Sequence, residues 1–276
     1  MGLLPHSIRK RLSYLYYEKR WRHPINQGLI YVKGIFTSSK KRKTTFIVFA
    51  QGRTGSTILV DLINRSNEVH CDGEIFGASM PIRLLFPKFY KRTLANLPKQ
   101  PVYGYRIKIY DLVMFHNHSP EESIQFLRSE FKAGHKVIYL HRTDKFRQAM
   151  SSLVAEARGD FHYKADSKGA KKKIHIDAKS IPMRIDKLNE FTQWDKRALD
   201  GFEFLDINYE TDLLPQEKHQ ETLDRICSFL NIDPCVATSE YKRSSVNQLE
   251  DYIENYDEVK SVLEENQLHT YLNQLA

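Results

Sequence analysis

The chain of 276 residues is 41% hydrophobic and 12% aromatic, enough for one large core, and its apolar runs fall far short of the roughly 20 residues of a membrane helix. Three scattered cysteines, Cys71, Cys227 and Cys235, argue against a disulfide framework and for a reducing, cytoplasmic compartment, and Met-Gly-Leu-Leu-Pro-His is too short an apolar opening for an export signal. The formal charge of +8 sits in residues 1–43, where eleven Lys and Arg against Glu18 make the segment +10 and leave −2 for the rest, which excludes a body shaped to wrap nucleic acid.

That basic arm carries Leu4, Ile8, Leu12, Leu15 and Tyr16 at helical spacing, so it reads as a helix packed on the domain by one face or, less favoured, as a peripheral membrane contact. Residues 44–276 read as one globular domain. The run Thr44 to Ala50 suits a strand buried on both faces; Gln51 to Thr57 is turn-forming; Ile58, Leu59, Leu62 and Ile63 then recur at helical spacing. A second strand is predicted at Val102 to Ile109, and a helix opens at Ser119-Pro120-Glu121-Glu122, where serine can cap and proline suits the first turn.

A third strand, Lys136 to His141, runs into a helix from Asp144. The segment Gly159 to Ser180 is basic and aperiodic, and is expected to be a mobile loop that orders over the site. A helix over Ile181 to Leu199, a strand at Phe202 to Asn208, a helix over Gln216 to Leu230 and a helical acidic tail from Gln248 complete the chain. This alternation predicts an α/β fold: a single P-loop-like domain with a central parallel sheet flanked by helices.

In such a sheet, ligands bind beyond the carboxyl ends of the strands, and a helix N-terminus offers unpaired amides to anions. Gly52 and Gly55 permit close backbone approach, Arg53 adds a positive fork, and Thr54, Ser56 and Thr57 add hydroxyls, so residues 52–57 form a candidate phosphate cradle. A nucleotide-triphosphatase loop needs four residues between its glycines and then Lys-Ser/Thr; here two separate them and Ser56 replaces the lysine. Arg142 at a strand end and Ser151 two and a half turns along the next helix make a second candidate anion site. No His/Cys/Asp cluster has metal-ligand spacing, and His116 and His118 read as solvated loop residues.

At these residues the sequence resembles the PAPS-dependent sulfotransferases (PAPS is 3′-phosphoadenosine 5′-phosphosulfate), especially the bacterial trehalose-type and nodulation-factor branch. The family's 5′-phosphosulfate loop, Arg-Ser/Thr-Gly-Ser-Thr, matches Arg53 to Thr57. Its 3′-phosphate element, Arg-x-Asp-x-x-x-Gln-Ala-x-Ser, matches Arg142, Asp144, Gln148, Ala149 and Ser151. Gly73-Glu74, Asn208-Tyr-Glu-Thr-Asp-Leu213, Lys242-Arg243-Ser244-Ser245 and Asn255-Tyr-Asp-Glu258 extend the likeness.

The resemblance implies transfer of a sulfuryl group from PAPS to a hydroxyl or amine of a glycan or small molecule, without a metal. Arg53 and the loop would meet the charge developing on the departing phosphate, while Arg142 and Ser151, with Lys242 and Arg243, would hold the nucleotide. It implies Glu74 as the base, with Ile75 standing where the branch commonly has proline. The residues themselves leave open a helix cap or an arginine partner for Glu74, and His70 or His141 as the base. A nucleotide kinase or NTPase with a degenerate loop, and a non-catalytic nucleotide-binding module, are the competing readings.

Overall fold

The computed structural model describes residues 22–37, 44–77, 86–159, 173–239 and 248–272. Five strands, β1 (Thr44–Ala50), β2 (Val69–Glu74), β3 (Val102–Ile107), β4 (Lys136–His141) and β5 (Leu205–Asn208), form one wholly parallel sheet in the order β2-β3-β1-β4-β5. The described helices are α1 (Arg22–Phe36), α2 (Ser56–Ile63), α3 (Pro87–Asn96), α4 (Ile109–His116), α5 (Pro120–Lys132), α6 (Lys145–Arg158), α7 (Ile181–Leu199), α8 (His219–Leu230), α9 (Tyr256–Glu265) and α10 (His269–Leu272). The predicted fold class is the observed one.

The pleat of β1 splits the core in two. Phe46, Val48 and Ala50 face α2 and α8 with Leu59, Leu62, Ile226 and Leu230, whereas Ile47 and Phe49 face α4, α5 and α7 with Leu112, Leu127 and Trp194. Each strand of such a sheet is buried on both faces, which is why β1, β3 and β4 read as near-continuous apolar runs. Gly104 in β3 is required by packing, since a Cβ there would land in the Phe46 ring. The chain winds from β1 to β2 and β3 on one side and to β4 and β5 on the other, so the strand order reverses beside β1, where open sheets of this kind leave a crevice.

Several expectations change. Strand β2 was not anticipated: Val69-His-Cys-Asp-Gly-Glu has an aspartate and a glycine that disfavour strands, yet pairing with β3 imposes one, with a bulge between Asp72 and Glu74 that absorbs Gly73. Glu74 thus ends an edge strand and does not sit in a free turn after α2. β3 stops at Ile107 and α4 begins at Ile109, while β5 begins only at Leu205. His116 is not solvated: it ends α4 buried, its Nε2 3.0 Å from the carbonyl of Phe76, with its ring against those of Phe76 and His118.

The helix predicted from Ser119 carries a full capping box: Ser119 Oγ accepts from the Glu122 amide, and the Glu122 carboxylate accepts from the Ser119 amide. Of the basic arm, α1 packs on α3, with Tyr31 stacked on Phe89; the helix expected over Leu4 to Tyr16 lies outside the described residues. So does most of the segment Gly159 to Ser180. Its last part is held, contrary to the expectation of a mobile loop: Ile174 bridges to Ile253, Asn255 bonds both the amide and the carbonyl of Ile176, and Ile176 and Ala178 are buried.

Candidate functional site

The loop after β1 is braced from beneath. Gln51 is buried and its Nε2 donates to Asp195 Oδ2 at 2.7 Å and to Thr192 Oγ1 at 3.2 Å on α7, and Thr54 Oγ1 donates to the Gln51 carbonyl at 2.8 Å. Asp195 is wholly buried, and burial pushes its carboxyl up to about 7 even though the Gln51 bond and Lys145 favour the anion. Two residues turn the loop through the left-handed region, Arg53 at φ 63° and Gly55 at φ 83°. Only glycine fits the second position, because a Cβ there would meet the Tyr209 ring at 2.7 Å. Helix α2 then starts at Ser56, with its first amides at the mouth of the loop.

The second element grows out of β4. Asp144 caps α6, its Oδ1 accepting from the Arg147 amide at 2.8 Å, and this sets Gln148 and Ser151 on the face of α6 that looks at the loop. Gln148 Nε2 donates to the Gly52 carbonyl at 2.7 Å, and Arg53 Nε donates to Ser151 Oγ at 3.0 Å. Arg142 donates from Nη1 to the Arg53 carbonyl at 3.3 Å, lies 4.6 Å over the Tyr209 ring, and has Nε 3.3 Å from Glu210. Glu210 also accepts from the Thr143 and Asp144 amides. Lys145 donates to the Arg142 carbonyl at 2.6 Å, and burial lowers its pKa.

The third part comes from the ends of β2 and β3. Arg106 donates from Nη1 to Ser56 Oγ at 2.9 Å and Thr57 Oγ1 at 3.3 Å, and its Nη2 lies 2.9 Å from Glu74 Oε1. Lys108 Nζ lies 2.5 Å from the same oxygen. Glu74 therefore has the arginine partner left open by the sequence and a lysine besides, and both join it to the hydroxyls of the cradle. Asp111, in the first turn of α4, is buried behind this group.

The structure thus gathers Gly52, Arg53, Thr54, Gly55, Ser56, Thr57, Glu74, Arg142 and Ser151 around one crevice. Lys242 and Arg243 lie outside the described residues. His70 is near the start of β2, paired with Asp72 and stacked on Tyr103. His141 ends β4, but its Nε2 is 3.2 Å from Asp206. Neither histidine bonds to the Glu74 group. Gln51, Arg106, Lys108, Asp111 and Asp195 join the candidate residues only through the tertiary structure. A signal for two of them is present: Arg106 and Lys108 interrupt the otherwise uncharged run Val102 to Ile109.

Beside the loop, Ile58, Tyr209, Leu213, Leu214 and Ala237 help line a cavity of about 620 Å³. A second, of about 630 Å³, lies between the ends of β4 and β5 and α7, against Tyr139, His141, Lys196 and Phe204.

The family described as Stf0 sulphotransferase matches residues 97–258, a stretch that includes Arg142 and Ser151 and begins after the cradle loop and Glu74. Among solved structures, a sulfotransferase from Alicyclobacillus acidocaldarius is 14% identical over 82% of this chain and 96% of its own, with a TM-score of 0.48. A mouse sulfotransferase, SULT7A1, complexed with PAP is 12% identical over 88% of this chain and 89% of its own, with a TM-score of 0.41. No curated protein matches.

Proposed function

The chain belongs to the Stf0 sulphotransferase family, and from that premise we propose that it transfers a sulfuryl group from PAPS to a hydroxyl or amine of a glycan or small molecule, leaving 3′-phosphoadenosine 5′-phosphate (PAP). The observation that carries the reading is the bond from Arg53 to Ser151 at 3.0 Å. It ties the loop at the start of α2 to the element that begins at Arg142, so two anion-binding surfaces become one continuous surface, as a nucleotide with phosphates at both ends of its ribose requires.

The residues fit that donor. The amides opening α2, the Ser56 and Thr57 hydroxyls and Arg53 supply donors for the 5′-phosphosulfate, and Arg142 with Ser151 supplies donors for the 3′-phosphate. The cavity beside Tyr209 offers an aromatic face and the apolar side chains of Ile58 and Leu213 to a flat heteroaromatic base, and Gln216, Glu217, His219 and Thr238 offer polar groups to its edge. Lys242 and Arg243 are proposed to add to the nucleotide contacts.

Sulfuryl transfer leaves negative charge on the departing 5′-phosphate, and donors already fixed by their own bonds meet that charge without reorganising. Glu74 is the proposed base, taking the acceptor proton. Arg106 holds its carboxylate at the end of β2 and holds the cradle hydroxyls with the same guanidinium, which positions the base relative to the loop. We assign residues 44–276 to the catalytic unit. Three free cysteines fit a reducing cytoplasm, and no described helix is long and apolar enough to cross a membrane.

The test is competitive binding. PAP in the presence of a chelator should bind more tightly than ATP with magnesium; the reverse order would favour a kinase or NTPase. A second arm follows labelled sulfate from PAPS into a panel of acceptors, and donor binding with no turnover across the panel would favour a binding module.

A further inference from the structure

The carboxylate proposed as base is held by two cations, and cations lower the proton affinity of a carboxylate. Arg106 and Lys108 therefore position Glu74 at the cost of its basicity, unless a further negative charge offsets them. Asp111 stands where such a charge is needed. A methyl group built on Gly77 would lie 2.8 Å from Glu74 Oε2 and 3.2 Å from Asp111 Oδ2, so these two oxygens are separated by no more than those two distances laid end to end. Asp111 is 3% exposed, and its Oδ2 has no hydrogen-bond partner. A buried carboxylate oxygen without a partner is costly enough to need a reason.

We propose that Asp111 is a positioning residue that tunes Glu74: its negative charge restores the basicity that Arg106 and Lys108 remove. This rests on the reading of Glu74 as the base. In the step itself the acceptor O–H bond breaks and its proton passes to Glu74 Oε2. The acceptor oxygen bonds to sulfur as the bond from sulfur to the 5′-phosphate oxygen breaks, and the electron pair leaves with PAP. Asp111 touches neither substrate. With Asp111 ionised, protonating Glu74 relieves the repulsion between two carboxylates; with Asp111 neutral, Glu74 keeps only its two cations and is a poor base.

Burial pushes the Asp111 carboxyl up to about 7; Lys108 and Arg106 oppose the rise and Glu74 adds to it. Among the described residues these three are the charged groups that face it, from the ends of β3 and β2, with the titratable Tyr110 phenol beside it on α4. The charge that matters is therefore gained near neutral pH, and the rate should follow it.

The experiment is the pH profile of kcat at saturating donor for the wild type and D111N, with PAP affinity measured alongside. The wild type should rise about tenfold through pH 7, from the Coulomb interaction of two charges at this spacing and a partial dependence of rate on base strength. D111N should be flat across that window, about tenfold slower than the wild type at pH 8, and unchanged in PAP affinity, and D111E should restore the rise. A D111N profile that still rises through pH 7, or a parallel loss of PAP binding, overturns the proposal. If D111N does not fold, the wild type labelled with ¹³C at the glutamate carboxyls answers instead: Glu74 should sense a second titration near pH 7, and its absence is equally fatal. The underlying reading fails separately, since an active E74Q would remove Glu74 as base, whereas an inactive E74Q with an unaltered D111N profile removes Asp111 alone.

Discussion

The two flanks of the cradle loop are built on opposite principles. On the flank of β4 and α6, cations and amides meet partners: Arg53 has Ser151, Arg142 has the Arg53 carbonyl, the Tyr209 ring and Glu210, and Gln148 has the Gly52 carbonyl. On the flank of β2 and β3, two carboxylates and two cations crowd together; a buried carboxylate oxygen lacks a hydrogen-bond partner on each side, Asp111 Oδ2 here and Asp195 Oδ1 beneath the loop, so the difference lies in the crowding of charge. A network tied together by many hydrogen bonds holds its shape before the ligand arrives, which suits a part of the substrate that is only bound. A stressed cluster shifts proton affinities, which suits the part that reacts.

The sharpest way to break this contrast is E74Q. It keeps the shape of the Arg106 contact and removes the basicity, so kcat should fall by about 10²–10⁴ while PAP affinity is retained. An equal loss in both would make Glu74 a structural member of the donor site.

A thermal melt of D195N tests whether the braced flank is as relaxed as its bonds suggest. Asp195 has a folded pKa of about 7, raised by burial above its ordinary value of 3.8. The folded state therefore binds this proton more tightly than the unfolded chain, and stability declines as pH rises from about 4 to about 7. A rise of that size is worth at most about 4 kcal/mol. D195N should melt higher than the wild type at pH 8, with the difference shrinking towards pH 4. A difference independent of pH would mean that Asp195 stays ionised throughout.

R142A should raise the donor KM by roughly 10- to 100-fold, the loss of one charge-assisted contact, with a smaller change in kcat. R53A should instead depress kcat, because the proposed function places its guanidinium at the reacting end of the donor. If both alter only KM, the division between binding and reacting groups is wrong.

The smallest effect is the coupling between Arg53 and Ser151. A double-mutant cycle of R53A and S151A on PAP affinity should show about 1 kcal/mol of non-additivity, as expected for side chains in direct contact. Strict additivity would mean that the two anion sites act separately.

The donor flank was legible in the sequence because its parts are local. A strand of seven apolar or β-branched residues, a glycine turn and a helix make the cradle, and a strand end with a capped helix makes the second site. The reacting flank was not. Val69 to Glu74 lacks strand propensity and becomes a strand only through its register with β3. Arg106 and Lys108 reach Glu74 across that pairing, 32 and 34 positions along the chain. Asp111 reads as an ordinary acidic residue in the first turn of a helix, and nothing nearby in the sequence announces that its carboxyl is buried.

By itself, the order of residues determined the parallel α/β class, the position of the loop at a helix N-terminus, and the choice of Arg53 to Thr57 and of Arg142 with Ser151 as two candidate anion sites. Periodicity, capping and turn chemistry act over a few residues and can be read one segment at a time. Tertiary structure alone decided that Glu74 sits between two cations, that Asp111 and Asp195 are buried carboxyls, and that the two candidate anion sites touch. Burial and proton affinity depend on which distant segments exclude water from a group, and the spacing of residues along the chain carries no measure of that.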